Sequence, residues 1–124
     1  MTKTPMILVV EDDEWLAEQY VRTLHDAGLQ AEHVPHAIAA IDTIDTKRPD
    51  AMILDIFLSG PNAFTLLHEL QSHSDLAGIP VIICTNSADD IAGEDLEAYG
   101  VTQVLDKTTM KPQDIVASVK KVLL

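Results

Sequence analysis

Cysteine is nearly missing from this chain. Cys84 stands alone among 124 residues, which excludes an intrachain disulfide and agrees with a reducing, cytoplasmic setting. Long apolar runs are missing as well. The strand-like runs stop at about five residues, far short of the roughly twenty that a membrane-spanning helix needs. The opening "MTKTP" lacks the apolar stretch of a secretory signal. Basic residues are scarce: eight Lys and Arg stand against twenty Asp and Glu, a formal net charge of −12. A field of that sign repels nucleic acid and anionic membrane and favours cations and basic partner surfaces. What is present is 47% hydrophobic residues, enough to bury a core in one domain spanning residues 1–124.

Five short apolar or β-rich runs recur, Met6–Val10, Leu29–Val34, Ala51–Leu54, Ile79–Cys84 and Val101–Leu105, with starts 23, 22, 28 and 22 residues apart. Each interval holds one helix and two loops, so the pattern predicts βαβ units and a parallel sheet. Four runs are almost continuously apolar, as expected of strands covered by helices on both faces. The second, "LQAEHV", interleaves Gln30 and Glu32 and is expected at a sheet edge. Helical spacing follows each of the first three strands: Leu16, Tyr20, Leu24 and Ala27 with Gly28 as a stop, then Ile38, Ile41 and Ile44, then Phe64, Leu67 and Leu70. Ile115, Val119 and Val122 mark the last helix, with Pro112 near its first turn. The fourth segment, "SADDIAGEDLEAYG", is the least regular. Its acidic residues Asp89, Asp90, Glu94, Asp95 and Glu97 are read as a solvated face.

Against this pattern Asp55 is conspicuous, a lone carboxylate between "AMIL" and "IFL". Taking it out of water is costly without compensation. In an open parallel α/β sheet, ligands bind at the carboxyl ends of the strands. Those ends carry Glu11, Asp12 and Asp13 after the first run, Asp55 after the third, Thr85 and Asn86 at the fourth, and Lys107 after the fifth. Asp13 also suits a helix cap. Converging carboxylates raise one another's pKa. A hard cation such as Mg²⁺, which prefers oxygen ligands, removes that conflict. A carboxylate so placed can attack phosphorus, and a hydroxyl and an ammonium suit the oxygens of a phosphoryl group.

These residues resemble the receiver domain of two-component response regulators. "ILVVEDD" resembles the family's first strand and acidic pair, "MILDIFLSG" its phospho-acceptor strand, "IPVIICTNS" its fourth strand, and "VLDK" its fifth. The intervals, 43 from Asp12 to Asp55, 30 on to Thr85 and 22 on to Lys107, are similar as well. The resemblance implies a flavodoxin-like (βα)5 fold, a doubly wound five-stranded parallel sheet in the order 2-1-3-4-5. It implies Asp55 as phospho-acceptor, with Thr85 and Lys107 gripping the phosphoryl oxygens. Mg²⁺ would be held by Glu11, Asp12, Asp55 and the main-chain carbonyl of Phe57. A histidine kinase, a phosphotransfer protein or a small phosphodonor would supply the phosphoryl group, with Trp15 and Leu16 as candidate contacts for a kinase, although Leu16 is read first as a core-packing residue. Drawing Thr85 inward would switch the face built by the fourth helical segment, fifth strand and last helix. The chain would be a cytoplasmic signalling domain, a monomer or a phosphorylation-dependent dimer, catalysing only its own phosphoryl acceptance and hydrolysis.

Several residues depart from the family pattern. Thr108 follows Lys107 where proline in a cis peptide is usual, so either a trans bond with an altered loop or a strained cis bond is expected. Val104 stands where many members carry a switching aromatic. Asn86 replaces a small residue, and Phe57 sets a ring two residues past Asp55 that could shield an acyl phosphate from water. Ser59 and Ala63 alter the geometry of the following loop. Other function classes on the same architecture are an interaction module that is never phosphorylated, a flavin-binding protein and a small-substrate phosphohydrolase. "EDDE" after the first strand repels a bare flavin phosphate, and the chain has no room for a substrate-selecting cap.

Overall fold

The computed structural model describes residues 4–55, 63–86 and 97–123. Five parallel strands, β1 (Met6–Val10), β2 (Gln30–Val34), β3 (Ala51–Leu54), β4 (Val81–Thr85) and β5 (Val101–Asp106), form one sheet in the order β2-β1-β3-β4-β5. Four helices are described: α1 (Glu14–Asp26), α2 (Ala37–Thr46), α3 (Ala63–Gln71) and α4 (Pro112–Leu123). The doubly wound order and the edge position of the mixed second strand are as expected.

Successive strand side chains point to opposite faces, and here both faces are buried. Leu8, Val10, Met52, Leu54 and Ile83 point into the core beneath α2 and α3, together with Ala40, Ile44, Leu67 and Leu70. Ile7, Val9, Ala51, Ile53, Ile82 and Cys84 point to the other side, against Ala17, Tyr20 and Leu24 of α1 and Ile115 and Val119 of α4. Two cores separated by one sheet account for the continuous apolar strands.

Element ends follow local chemistry. The Asp13 carboxylate accepts from the Leu16 amide at 3.1 Å and caps α1. At the other end Gly28 adopts φ 85°. Its amide donates to His25 and that of Leu29 to Leu24, each at 3.0 Å, closing the helix in a Schellman turn. The fourth strand starts two residues later than the apolar run, at Val81, because Pro80 has no amide to give to a ladder. Of the fourth helical segment residues 97–100 are described, with Glu97–Tyr99 in a single 3-10 turn. The expected acidic face on Asp89, Asp90, Glu94 and Asp95 lies outside the described residues, as do Phe57 and Ser59. No described helix is long and apolar enough to cross a membrane.

Candidate functional site

The strand register places the charged residues. Val10 and Leu54 are neighbours across β1 and β3, so the residues that follow them, Glu11 and Asp55, leave the sheet side by side. The Glu11 amide donates to Val34 and the Asp55 amide to Val10, both at 3.1 Å. On the far side of β3, Thr85 pairs with Asp106 across β4 and β5, and the Lys107 amide donates to the Thr85 carbonyl at 2.9 Å. Four strand ends thus bring Glu11, Asp12, Asp55, Thr85 and Lys107 to one edge.

Glu11, Asp55 and Thr85 are buried, whereas Asp12 is exposed. One carboxylate oxygen from each of Glu11, Asp12 and Asp55 lies within 4.8 Å of the others. The Lys107 ammonium enters this cluster, 2.5 Å from Glu11 Oε1 and 3.1 Å from Asp55 Oδ2. Burial pushes the Glu11 carboxyl up to about 7, with the nearby Asp55 charge adding to the rise and Lys107 opposing it. For Lys107, burial pulls the ammonium down, but hydrogen bonding and attraction to Glu11 and Asp55 outweigh it and the net shift is upward. One ammonium therefore does not fully compensate the buried acids. An oxygen-only donor set of carboxylates, partly buried and still short of positive charge, fits a hard divalent cation.

Neighbouring groups fix the frame. Glu11 Oε2 accepts from the Asp13 amide at 3.3 Å, and the Glu11 carbonyl lies 2.8 Å from His33 Nε2. The Lys107–Thr108 bond is trans, as are all described peptide bonds. Asp106 Oδ1 closes the turn, accepting from the Thr108 amide at 2.8 Å and its hydroxyl at 2.6 Å. These bonds hold the Asp106 carboxyl below its ordinary value. Val104 is exposed on β5. Trp15 is 67% exposed in the first turn of α1, while Leu16 is half-buried against the core. Cys84 is buried, and desolvation pushes its thiol up to about 12, so it is not a nucleophile.

Sequence reasoning missed three features. The ion pair from Lys107 to Glu11 needs knowledge of side-chain reach. His33 on Glu11 needs the β1–β2 register. The Tyr20 hydroxyl is buried without a hydrogen-bond partner among the described residues, and a tyrosine at a core position of α1 was its only signal.

The comparisons with known proteins agree with this geometry. The family model of the response regulator receiver domain matches residues 7–120. The chain is a receiver domain of the response regulator family. This receiver is 30% identical over 122 residues to the DNA-binding response regulator MtrA of Mycolicibacterium smegmatis, covering 96% of this chain and 50% of that protein. The chain spans about half the length of the curated relatives it matches first. Among solved structures, a putative response regulator from Chloroflexus aurantiacus superposes with a TM-score of 0.88 at 29% identity, covering 98% of both chains. The signal receiver domain of a histidine kinase from Syntrophus aciditrophicus gives 0.84 at 30% identity, covering 97% of this receiver and 90% of that chain.

Proposed function

We propose that this receiver accepts a phosphoryl group on Asp55 from a histidine kinase, a phosphotransfer protein or a small phosphodonor. The observation that carries this reading is the convergence of Glu11, Asp12 and Asp55 with Lys107 Nζ 3.1 Å from Asp55 Oδ2. Glu11, Asp12 and Asp55 are assigned as Mg²⁺ ligands, with the main-chain carbonyl of Phe57, a residue outside the described ones, completing the set. When bound, the ion supplies positive charge against the phosphoryl oxygens. Asp55 acts as the nucleophile. Lys107 reaches both Glu11 and Asp55, so its ammonium can shift from the acids to a phosphoryl oxygen without leaving the site. Thr85, at the end of β4, supplies the hydroxyl for another oxygen. Its movement toward the phosphoryl group would switch the face formed by the fourth helical segment, β5 and α4. With Val104 on that face, the switch works without an aromatic on β5.

The domain acts in the cytoplasm as a signalling module over residues 1–124, as a monomer or a phosphorylation-dependent dimer, without touching nucleic acid itself. Its only chemistry is phosphoryl acceptance and hydrolysis. The test is incubation with Mg²⁺ and acetyl phosphate followed by intact-mass measurement. One added phosphoryl group is expected, absent in Asp55→Asn. No added mass, together with amide spectra unmoved by beryllofluoride, would leave an interaction module that works unphosphorylated.

A further inference from the structure

We infer that the groove between α1 and the start of α4 seats the leaving group of the phosphodonor, and that it selects donors whose leaving group is a flat apolar ring. The inference rests on the reading of Asp55 as phospho-acceptor and adds a substrate class to it.

Three observations carry it. The groove is a cavity of about 340 Å³, within the range of small-molecule sites and far larger than an acetyl group requires. Its walls are mostly apolar: Trp15 and Leu16 on α1, then Met110, Pro112 and Ile115 across from them. Trp15 is 67% exposed, so its ring is available for stacking. Second, the groove shares a residue with the acidic cluster. Lys107 lines it while its ammonium lies 3.1 Å from Asp55 Oδ2, and Asn86, next to Thr85, lines it too. Third, in a chain of net charge −12, the charged residues lining this groove, among those described, are two lysines, Lys107 and Lys111. An anionic head at Lys107 with an apolar body toward Trp15 and Met110 is the complementary ligand. An aromatic acyl phosphate has that form.

The chemistry balances without a further reactant. An Asp55 carboxylate oxygen forms a bond to phosphorus. The bond between phosphorus and the acyl oxygen breaks, and benzoate departs with the bonding pair. No proton has to move.

The experiment compares benzoyl phosphate with acetyl phosphate in the presence of Mg²⁺, using the intact full chain and intact mass as the readout. Rates are normalised to each donor's spontaneous hydrolysis, with Asp55→Asn as the blank. Benzoyl phosphate is expected to label Asp55 at least about tenfold faster, the scale of discrimination an apolar pocket gives. Trp15→Ala should bring the ratio of the two rates toward one, and Trp15→Phe should keep it. Trp15 is the sole tryptophan, so quenching of its fluorescence by the non-transferable benzoylphosphonate gives a binding readout independent of turnover. Labelling by acetyl phosphate with no advantage for benzoyl phosphate and no quenching overturns the groove assignment alone. No labelling by either donor overturns the reading of Asp55 on which it rests. An advantage that survives Trp15→Ala unchanged also overturns the assignment, because the ring would then be bound elsewhere.

Discussion

Two ion pairs of the same chemistry sit in opposite surroundings. Lys47 meets Glu32 at 2.8 Å with side chains 65% and 40% exposed. Lys107 meets Glu11 at 2.5 Å with side chains 9% and 2% exposed. The first joins β2 to the segment after α2, away from the acidic edge. In water such pairs contribute between nothing and about 1 kcal/mol. The second is desolvated and shares its ammonium with Asp55. There the cost of stripping water from the charges is large, and removing one partner leaves the others uncompensated. The same contact is decoration at one place and a constraint on the whole fold at the other. What separates them is the burial of the strand ends, not the distance.

Replacing Lys107 tests that contrast most severely. Lys107→Met in metal-free protein at pH 8 leaves Glu11 and Asp55 facing each other with no ammonium between them. A loss of about 3–5 kcal/mol is expected in urea unfolding. Glu11→Gln combined with Lys107→Met should recover part of it, because Asp55 is then the one buried carboxylate of the pair still charged, and the repulsion between the two acids is gone. A double variant as unstable as Lys107→Met alone would show that the lysine acts through packing of its stem.

The pH dependence comes next in size. Burial lifts the Glu11 carboxyl from 4.5 to about 7. Between these values the folded chain holds a proton that the unfolded chain has released. Stability therefore falls as pH rises through this window and levels off above about 7. The loss is on the order of 3 kcal/mol. Lys107 is shifted upward, so its contribution is lost only at more alkaline pH and does not enter the window. Thermal unfolding from pH 4.5 to 8 should show the decline in metal-free protein. Glu11→Gln should flatten it, and Mg²⁺ should bind more tightly as the pH climbs toward 7.

How much of this was legible beforehand depends on which interactions are local. The repeat of apolar runs, the alternation on each strand and the Asp13 cap are set by neighbours in sequence, and all were readable. Convergence of Glu11, Asp55 and Lys107 was readable too, because parallel strands of known order leave their carboxyl ends together. The start of β4 after Pro80 required knowing which amides the ladder uses. At α2 the cap is His36, whose Nδ1 accepts from the Ala39 amide at 3.1 Å. Histidine is not among the residues that announce a helix start, so the sequence carried no signal there. The partnership of Lys107 with Glu11 depends on side-chain reach inside a buried pocket, which no spacing rule encodes.

The Asp13 cap is of intermediate size and separates geometry from charge. Asp13 is exposed, yet its carboxylate holds the Leu16 amide, and its own amide donates to Glu11 Oε2 at 3.3 Å. Asp13→Ala should cost about 1 kcal/mol through the lost cap. Asp13→Asn should cost much less, because the amide oxygen still accepts. Equal losses would mean that the negative charge beside the helix start matters more than the hydrogen bond.

The smallest effect is expected at the exposed pair, and it completes the comparison. Lys47→Ala and Glu32→Ala should each change stability by no more than about 0.5 kcal/mol, and their double-mutant coupling should vanish in 1 M salt, where charges are screened within roughly 3 Å. The coupling between Lys107 and Glu11 should persist at that salt concentration, because ions do not enter a pocket whose side chains are 9% and 2% exposed. A salt-sensitive Lys107–Glu11 coupling, or a Lys47–Glu32 coupling that survives, would break the distinction. It would mean that the strand ends open to solvent far more often than their burial implies.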